Sequence, residues 1–503
     1  MTTMPGRAPA APHPARGTVG APESFSVPIF TVCAALLSAV APLYLIEATP
    51  DPRVEAWTGA WVLASAIGLR YAWLLAEGRP RLIEMTVWLF SYVFLGLAPL
   101  AQLRQGISPE TTPRTVASAD LEPLVIVALG SAAVLVASLL RARWSATHRA
   151  PPPRAKPTAR FDDEESGDPT TALRPVAVRL LTAASLVCTG YYLVSVGPAL
   201  FTDQLTVARQ AAALWPNPAT LGVVSALATM PLLVSFVSLT ALRRQRPETR
   251  TGVQGLLYAL VALVLVVHAN PVNSPRYIVG TVWLAVAASL GLFATRRRFR
   301  LVALSAVAGL VLVFPLADAF RGDAEPVRAA GPEQSLLSGD YDAFAQIQNT
   351  VLYVERRGFS EGEQALGVAL FWVPRQVWPD KPRDTGIVLA EFRGYGFTNL
   401  SAPLWAELYI NAGWAAVLAG GAALGWWARG RDERTVAALR RSRAPDILGC
   451  ILPFYLIFLL RGSLLQAMAN VLVLGAACWW VTHGPGGPAV SAPSSERGME
   501  RQS

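Results

Sequence analysis

Charge is scarce in this sequence. Of its 503 residues only 15% are Asp, Glu, Lys or Arg, against roughly 25% in an ordinary soluble domain. The hydrophobic share is 53% and the mean hydropathy is +0.38. That balance excludes a disordered chain and a typical soluble enzyme, because too little polar surface exists to cover a fold of this size. Cysteine is scarce too. Cys33, Cys188, Cys450 and Cys478 each lie in an apolar run without metal-ligand spacing, which excludes a disulfide scaffold and leaves them as small apolar side chains. The four histidines are His13, His148, His268 and His483. There is no H-E-x-x-H, no Walker loop and no Cys/His cluster, so metal-dependent hydrolysis and ATP-driven transport lose their usual support. Neither a metal nor a cofactor is expected. Lysine occurs only at Lys156 and Lys381. The net charge of +9 sits in short runs between apolar segments and does not indicate nucleic acid.

What is abundant is apolar sequence in long runs. About 20 apolar residues are needed to cross the hydrocarbon of a bilayer. Twelve segments qualify: 26–46, 55–75, 82–103, 123–140, 178–196, 221–242, 253–270, 277–294, 301–319, 402–427, 446–460 and 464–482. The expected fold is therefore all-α, a polytopic integral membrane protein of about 12 transmembrane helices. With both termini cytoplasmic, inner segments hold 27 Lys+Arg and outer ones 14, with Arg70 and Arg179 inside spans. Eight of the 14 lie in one long outer loop, so the asymmetry favours that orientation. The expected organisation is a cytoplasmic tail over 1–24, spans one to nine over 25–319 with a flexible cytoplasmic linker at 141–177, an extracytoplasmic loop over 320–401, spans ten to twelve over 402–482, and a second tail over 483–503. The plasma membrane is the expected location.

The long loop carries its own helical pattern. Phe344, Ile347, Val351 and Val354 recur at helical spacing, which predicts an amphipathic helix. Leu366, Leu370, Phe371, Trp372 and Trp378 predict a segment at the membrane interface. Arginines on the outer face are disfavoured by topology, so each calls for a reason. Arg276 opens the eighth span, Arg375, Lys381 and Arg383 stand among prolines, and Arg461 occupies the short connection between spans eleven and twelve. Snorkelling to headgroups is one reason. The other is anion binding, because several guanidinium groups at one depth can clamp a phosphate or pyrophosphate. Glu407 lies at the outer end of span ten, near the water boundary, with Asn411 four residues on and on the same helix face. Either it serves the chemistry or it partners an arginine. Gly413 would allow close helix packing. Asp340-Tyr341-Asp342 matches a D-x-D pattern, but capping of the amphipathic helix by Asp340 or Asp342 is the better use; Asp342 retains the option of facing a site. His268 is the one histidine near the outer arginines, and a local hydrogen bond explains it as well as a site does.

The pieces Gly339-Asp340-Tyr341-Asp342-Ala343-Phe344, Val373-Pro374-Arg375 with Trp378-Pro379-Asp380-Lys381-Pro382, and Ala406-Glu407-Leu408-Tyr409-Ile410-Asn411-Ala412-Gly413 resemble those of bacterial oligosaccharide repeat-unit polymerases, the Wzy-type O-antigen polymerases. The Asn270-Pro271 to Arg276-Tyr277 turn is similar as well. The likeness covers the second half; before about residue 250 it is one of topology. It implies a membrane glycosyltransferase that joins polyprenyl-pyrophosphate-linked oligosaccharide donor and acceptor at the outer leaflet, in a lipid bilayer, with flippase and chain-length regulator proteins as companions. Related enzymes use loop arginines written R-x10-G; Arg375 to Gly386 and Arg383 to Gly394 fit that spacing. On this resemblance Arg276, Arg375 and Glu407 are the expected catalytic residues. Lys381, Arg383, Arg461, Asp342, Asn411 and His268 are expected to contact substrate. Loss of a diphosphate leaving group builds negative charge that fixed cations stabilise, and an in-line attack inverts the anomeric centre.

Two alternatives stand beside it. A flippase or other transporter fits twelve spans, but such proteins place polar residues at mid-membrane in paired repeats. A glycan ligase or a polyprenyl-phosphate-sugar transferase is closer; the latter would want acids in the first outer loop, where Glu47 and Asp51 stand.

Overall fold

The computed structural model describes residues 25–51, 54–113, 120–148, 173–245, 252–313, 331–398, 400–440 and 446–483. Among them there are helices and no strand. In chain order the helices are α1 (Val27–Ala48), α2 (Val54–Glu77), α3 (Leu82–Gln105), α4 (Leu121–His148), α5 (Pro175–Val196), α6 (Gln204–Leu214), α7 (Pro218–Gln245), α8 (Gly252–His268), α9 (Arg276–Ser289), α10 (Arg296–Ala308), α11 (Ala343–Arg357), α12 (Glu363–Ala369), α13 (Thr385–Arg393), α14 (Leu404–Arg440), α15 (Ile447–Arg461) and α16 (Leu464–His483). Among the described residues, eight helices are long and apolar enough to cross a membrane, namely α1 to α5, α7, α14 and α16. Three more, α8, α9 and α15, are apolar but shorter, at 10–17 residues.

Several boundaries differ from the sequence expectation. The fourth span runs on to His148 and the fifth begins at Pro175, so helix replaces both margins of the expected 141–177 linker. The expected tails, the middle of that linker, and 314–330, where the ninth span was to end and the long loop to begin, lie outside the described residues. The stretch after α5 holds the exposed helix α6, whose Asp203 caps its first turn by accepting from Leu205 N and Thr206 N at 2.8 and 3.0 Å.

Helix α3 sits at the centre. It is apolar over most of its surface, and Leu82–Leu103 is buried throughout, as a helix with so little polar surface requires. Against it pack α15, α2 and α14. The most extensive pairing joins α4 and α14. Gly421 and Gly425 form a small-x-x-x-small pair there. A Cβ on Gly421 would stand 2.8 Å from the Gly130 carbonyl oxygen, and one on Gly425 would run into the Val134 carbonyl. Gly130 in turn makes room for the Trp405 indole.

The segment 331–401 closes one end of the bundle, called here the loop end. Its main helix, α11, carries Phe344, Ile347 and Val351 as expected, all buried. Its remaining faces are buried too, through Gln346, Gln348, Asn349 and Thr350. The helix is therefore clamped between α3, α4, α13 and α14 and does not lie on a surface. Leu366 on α12 and Trp372 after it are exposed.

Candidate functional site

At the loop end two arginines from distant parts of the chain meet one carboxylate. Arg276 begins α9, behind a turn fixed by Val272 N donating to Asn270 Oδ1 at 3.0 Å and by Ser274 Oγ donating to the His268 carbonyl at 2.7 Å. Arg461 ends α15. Between them lies the short turn Gly339–Tyr341. Arg276 Nη1 donates to Asp340 Oδ2, while Arg461 Nη2 stands 3.9 Å from Asp340 Oδ1. The same Arg461 nitrogen donates to the Gly339 carbonyl at 3.1 Å and to Asp342 Oδ1 at 3.3 Å.

The turn is held by its neighbours. The Tyr341 ring stacks on Phe94 at 5.2 Å and its hydroxyl donates to the Leu310 carbonyl. Gln102 Nε2 donates to the carbonyls of Leu336 and Tyr341 at 2.9 and 3.0 Å. Gly339 is needed because a Cβ there would lie 2.5 Å from the Thr111 methyl carbon. Burial pushes the Tyr341 phenol above its ordinary range, helped by Asp340 and opposed by the two arginines.

Asp342 is not a helix cap. No side-chain cap bond forms, because the buried carboxylate turns inward and accepts from Ser401 Oγ at 2.7 Å and from Arg461. It holds the arginine and does not face open space.

Two residues beyond Arg461 the chain reaches the second centre. Glu407, in the first turn of α14, is 2% exposed. Its Oε2 accepts from Thr385 Oγ1 at 2.8 Å, and its Oε1 accepts from Ser463 Oγ at 3.0 Å and Leu464 N at 3.2 Å. Neither expected environment holds. The carboxylate is buried, and no arginine among the described residues pairs with it; hydroxyl groups and the start of α16 satisfy it instead. Asp384 adjoins it, capping α13 by accepting from Gly386 N at 2.9 Å. Burial raises the Asp384 carboxyl above the usual carboxylate range, against the lowering effect of its hydrogen bonds.

Asn411 shares the helix but not the carboxylate. Its Nδ2 donates to the Glu407 carbonyl at 2.7 Å, and its Oδ1 accepts from Ala365 N at 3.0 Å and Ser360 Oγ at 3.3 Å. It ties the 360–365 segment to α14. Immediately after it α14 breaks, with Gly413 at φ 59° and ψ −141°. Gly413 thus permits a break, not a close helix contact, and a Cβ on it would meet the Phe359 ring at 2.8 Å.

The loop cations fall outside this arrangement. Arg375 folds back on its own loop and donates to the Pro382 carbonyl at 3.3 Å. Buried Lys381 does likewise, donating to the carbonyls of Phe371 and Val373 at 2.5 and 3.0 Å; desolvation and then Arg375 lower its pKa. Arg383 forms an exposed pair with Glu391 at 2.7 Å. These side chains brace the proline-rich turn because its carbonyls lack helical partners. Of the glycines in the R-x10-G matches, Gly386 packs on the Leu400 carbonyl and Gly394 closes α13 at φ 66°. His268 is buried away from the arginines, 2.8 Å from Thr229 Oγ1 and edge-on to Tyr192.

Thus the structure unites Arg276, Arg461 and Asp342, places Glu407 beside them, and separates Arg375, Lys381, Arg383, Asn411 and His268. Sequence reasoning gives no hint of Thr385, Ser401 or Ser463, and it treats Asp340 only as a cap.

A second charged cluster lies at the opposite end of the bundle. Glu84 pairs with Arg70 at 3.1 Å and with Arg81 and Arg429 at 3.3 Å, and accepts from Ser138. Asp432 caps α3 by accepting from Ile83 N and Glu84 N at 3.0 and 2.8 Å. The cluster pins α2, α3, α4 and α14 together.

No family model, curated protein or solved structure matches this chain.

Proposed function

We propose that the protein is a membrane glycosyltransferase that polymerises polyprenyl-pyrophosphate-linked oligosaccharide repeat units into a cell-surface polysaccharide. In this reading α8, α9, α10 and α15 join the eight long helices as spans, giving twelve. The loop end faces outward and both termini face the cytoplasm. The observation that carries it is the convergence of Arg276 and Arg461 on the single carboxylate of Asp340. Two guanidinium groups that reach one anionic group can hold the diphosphate of a lipid-linked sugar.

The chemistry follows from placement. The acceptor hydroxyl attacks the anomeric carbon of the donor. The new C–O bond forms as the bond to the diphosphate breaks, and the electron pair leaves with the diphosphate. Arg276 and Arg461 stabilise that developing charge; each charge-assisted bond contributes roughly 1.5–3 kcal/mol. Glu407 exchanges the Thr385 hydroxyl for the acceptor hydroxyl and takes its proton, a role worth about 10²–10⁴ in rate. Attack opposite the leaving group inverts the anomeric centre. Asp342 and Ser401 keep Arg461 in position. Arg375 and Lys381 act through the shape of the loop.

The test is glycan profiling of a deletion strain. A polymerase deletion leaves surface glycans of one repeat unit. A deletion that abolishes surface glycan and traps lipid-linked units inside would instead identify a flippase. Loss of all capped lipid or protein acceptor with polymer intact would identify a ligase.

A further inference from the structure

Two carboxylates are buried side by side at the second centre, Asp384 at 6% exposure and Glu407 at 2%. Among the described residues neither has a cationic partner. The charged groups on the elements that meet there are engaged elsewhere: Arg383 with Glu391, Arg393 with the Tyr395 hydroxyl, and Arg461 with Asp340 and Asp342. Two neighbouring carboxylates without a counter-ion resist ionising together, so the pair favours holding one proton. The hydrogen bonds say where that proton sits. Both oxygens of Glu407 already accept: Oε2 from Thr385 Oγ1 at 2.8 Å, and Oε1 from Ser463 Oγ at 3.0 Å and Leu464 N at 3.2 Å. On Asp384, Oδ1 accepts from Gly386 N at 2.9 Å and Ile387 N at 3.4 Å, whereas Oδ2 is buried and receives no hydrogen bond. A charged oxygen buried without a donor is costly, and a proton placed on it displaces no existing bond. Ser463 adjoins the Asp384 carboxyl as well. A serine hydroxyl has one hydrogen, and that of Ser463 is committed to Glu407. Its oxygen remains able to accept. Burial, which raises the Asp384 carboxyl, works in the same direction.

We infer that Asp384 carries the proton of a two-carboxylate pair bridged by Ser463: neutral Asp384 donates to the Ser463 oxygen, Ser463 donates to Glu407, and Glu407 stays ionised. Asp384 is then a positioning residue. It sets the direction of the Ser463 hydroxyl and leaves Glu407 free to act as a base, a use that rests on the glycosyl-transfer reading above. In that reading the acceptor's proton goes to Glu407 Oε2. The pair thereby passes from one proton to two, and one is released to solvent after the product leaves.

The experiment is an infrared pH titration of the purified full chain in detergent, following the carboxylic-acid C=O band and its shift in deuterium oxide. It uses no substrate, so its outcome is independent of the glycosyl-transfer reading. The proteins are wild type, Asp384→Asn, Glu407→Gln and Ser463→Ala, each checked for a single monodisperse species. Wild type should show at neutral pH an acid band that Asp384→Asn lacks. Glu407→Gln should keep that band at mildly acid pH and lose it about one pH unit or more lower than wild type, because the neighbouring charge is gone. Ser463→Ala should move the band, because the acid loses its acceptor. A band lost in Glu407→Gln but kept in Asp384→Asn would put the proton on Glu407 and overturn the proposal. Identical neutral-range spectra for wild type and Asp384→Asn would overturn it too, as would a band that Ser463→Ala leaves unmoved. Single-turnover transfer adds a second readout. Asp384→Asn replaces one neutral group by another, so the acid limb of the rate–pH profile should stay within about half a unit of wild type. A shift of about one unit or more to lower pH would show that Asp384 is charged in the working protein, and would also overturn the proposal. Absence of transfer by wild type, with the infrared result intact, would strike the glycosyl-transfer reading and leave the shared proton standing.

Discussion

Replacing Glu407 by glutamine separates two roles that one set of hydrogen bonds leaves superimposed. The carboxylate accepts three bonds, from Thr385 Oγ1, Ser463 Oγ and Leu464 N, and so pins α13 and α16 to α14. Glutamine is isosteric. Its oxygen can keep the bonds from Ser463 and Leu464, and its amide can donate to the Thr385 hydroxyl, which rotates to accept. The three bonds lose their charge assistance, about 1 kcal/mol each. Against this, glutamine lifts the desolvation cost of a buried charge, which is several kcal/mol. The net change in stability should lie within about 2 kcal/mol, and the variant should insert, purify and melt near wild type. As a base, however, glutamine is inert, and turnover should fall by about 10²–10⁴. A hundredfold loss is about 2.7 kcal/mol of barrier in a protein whose fold is nearly unchanged. The assay pairs single-turnover glycosyl transfer with donor binding on the same preparation. Turnover within twofold of wild type would refute the proton-transfer role; a large drop in melting temperature would show that the carboxylate is chiefly a pin.

Other perturbations address the frame. Glu84→Gln removes the carboxylate shared by Arg70, Arg81 and Arg429 and should destabilise by about 3–5 kcal/mol, as for a broken buried pair; an unchanged thermal-shift midpoint in detergent would contradict this. Gly425→Ala drives a methyl into the Val134 carbonyl and should cost about 1–3 kcal/mol by overpacking, read by the same assay. The raised Asp384 carboxyl means that the native protein binds that proton more tightly than the unfolded chain. Its stabilising contribution is complete below the ordinary carboxylate range and disappears as pH rises through the raised value. Asp384→Asn, which can still cap α13, should flatten that part of the stability–pH profile; a profile parallel to wild type refutes the assignment. Single cysteines placed in 331–398 should label from outside intact cells and those in 141–148 should not; the reverse pattern inverts the orientation.

The apolar runs were legible because helix in lipid is dictated by length and composition alone. So was α11, since Phe344, Ile347 and Val351 repeat at helical spacing. Its other face was not, because the partners that bury Gln348 and Asn349, Asp120 and Tyr395, lie 228 and 46 residues away. Glu407 stands out in sequence as a carboxylate in an apolar helix, yet its surroundings come from Thr385 and Ser463, one on a loop-end helix and one on a hairpin. Composition cannot distinguish a water boundary from a hydroxyl-lined pocket. Arg375 and Lys381 stand out for being cationic among prolines, and it is those prolines that leave carbonyls for them to satisfy. Arg70, Arg81 and Arg429 count as topology charges one at a time; only packing reveals that they surround Glu84. The close helix packing expected at Gly413 falls instead at Gly421 and Gly425, against Gly130 and Val134.

The central claim is that this protein transfers an oligosaccharide from a lipid diphosphate to a second lipid-linked unit. The direct measurement is incubation of the purified protein in lipid nanodiscs with a polyprenyl-pyrophosphate-linked repeat unit as the only substrate, with products resolved by glycan length and free polyprenyl diphosphate quantified. The account predicts a ladder of two, three and more units, one polyprenyl diphosphate released per bond formed, and neither ladder nor release with Arg276→Ala. Unchanged single units with no released diphosphate, from protein that binds the substrate, would contradict it.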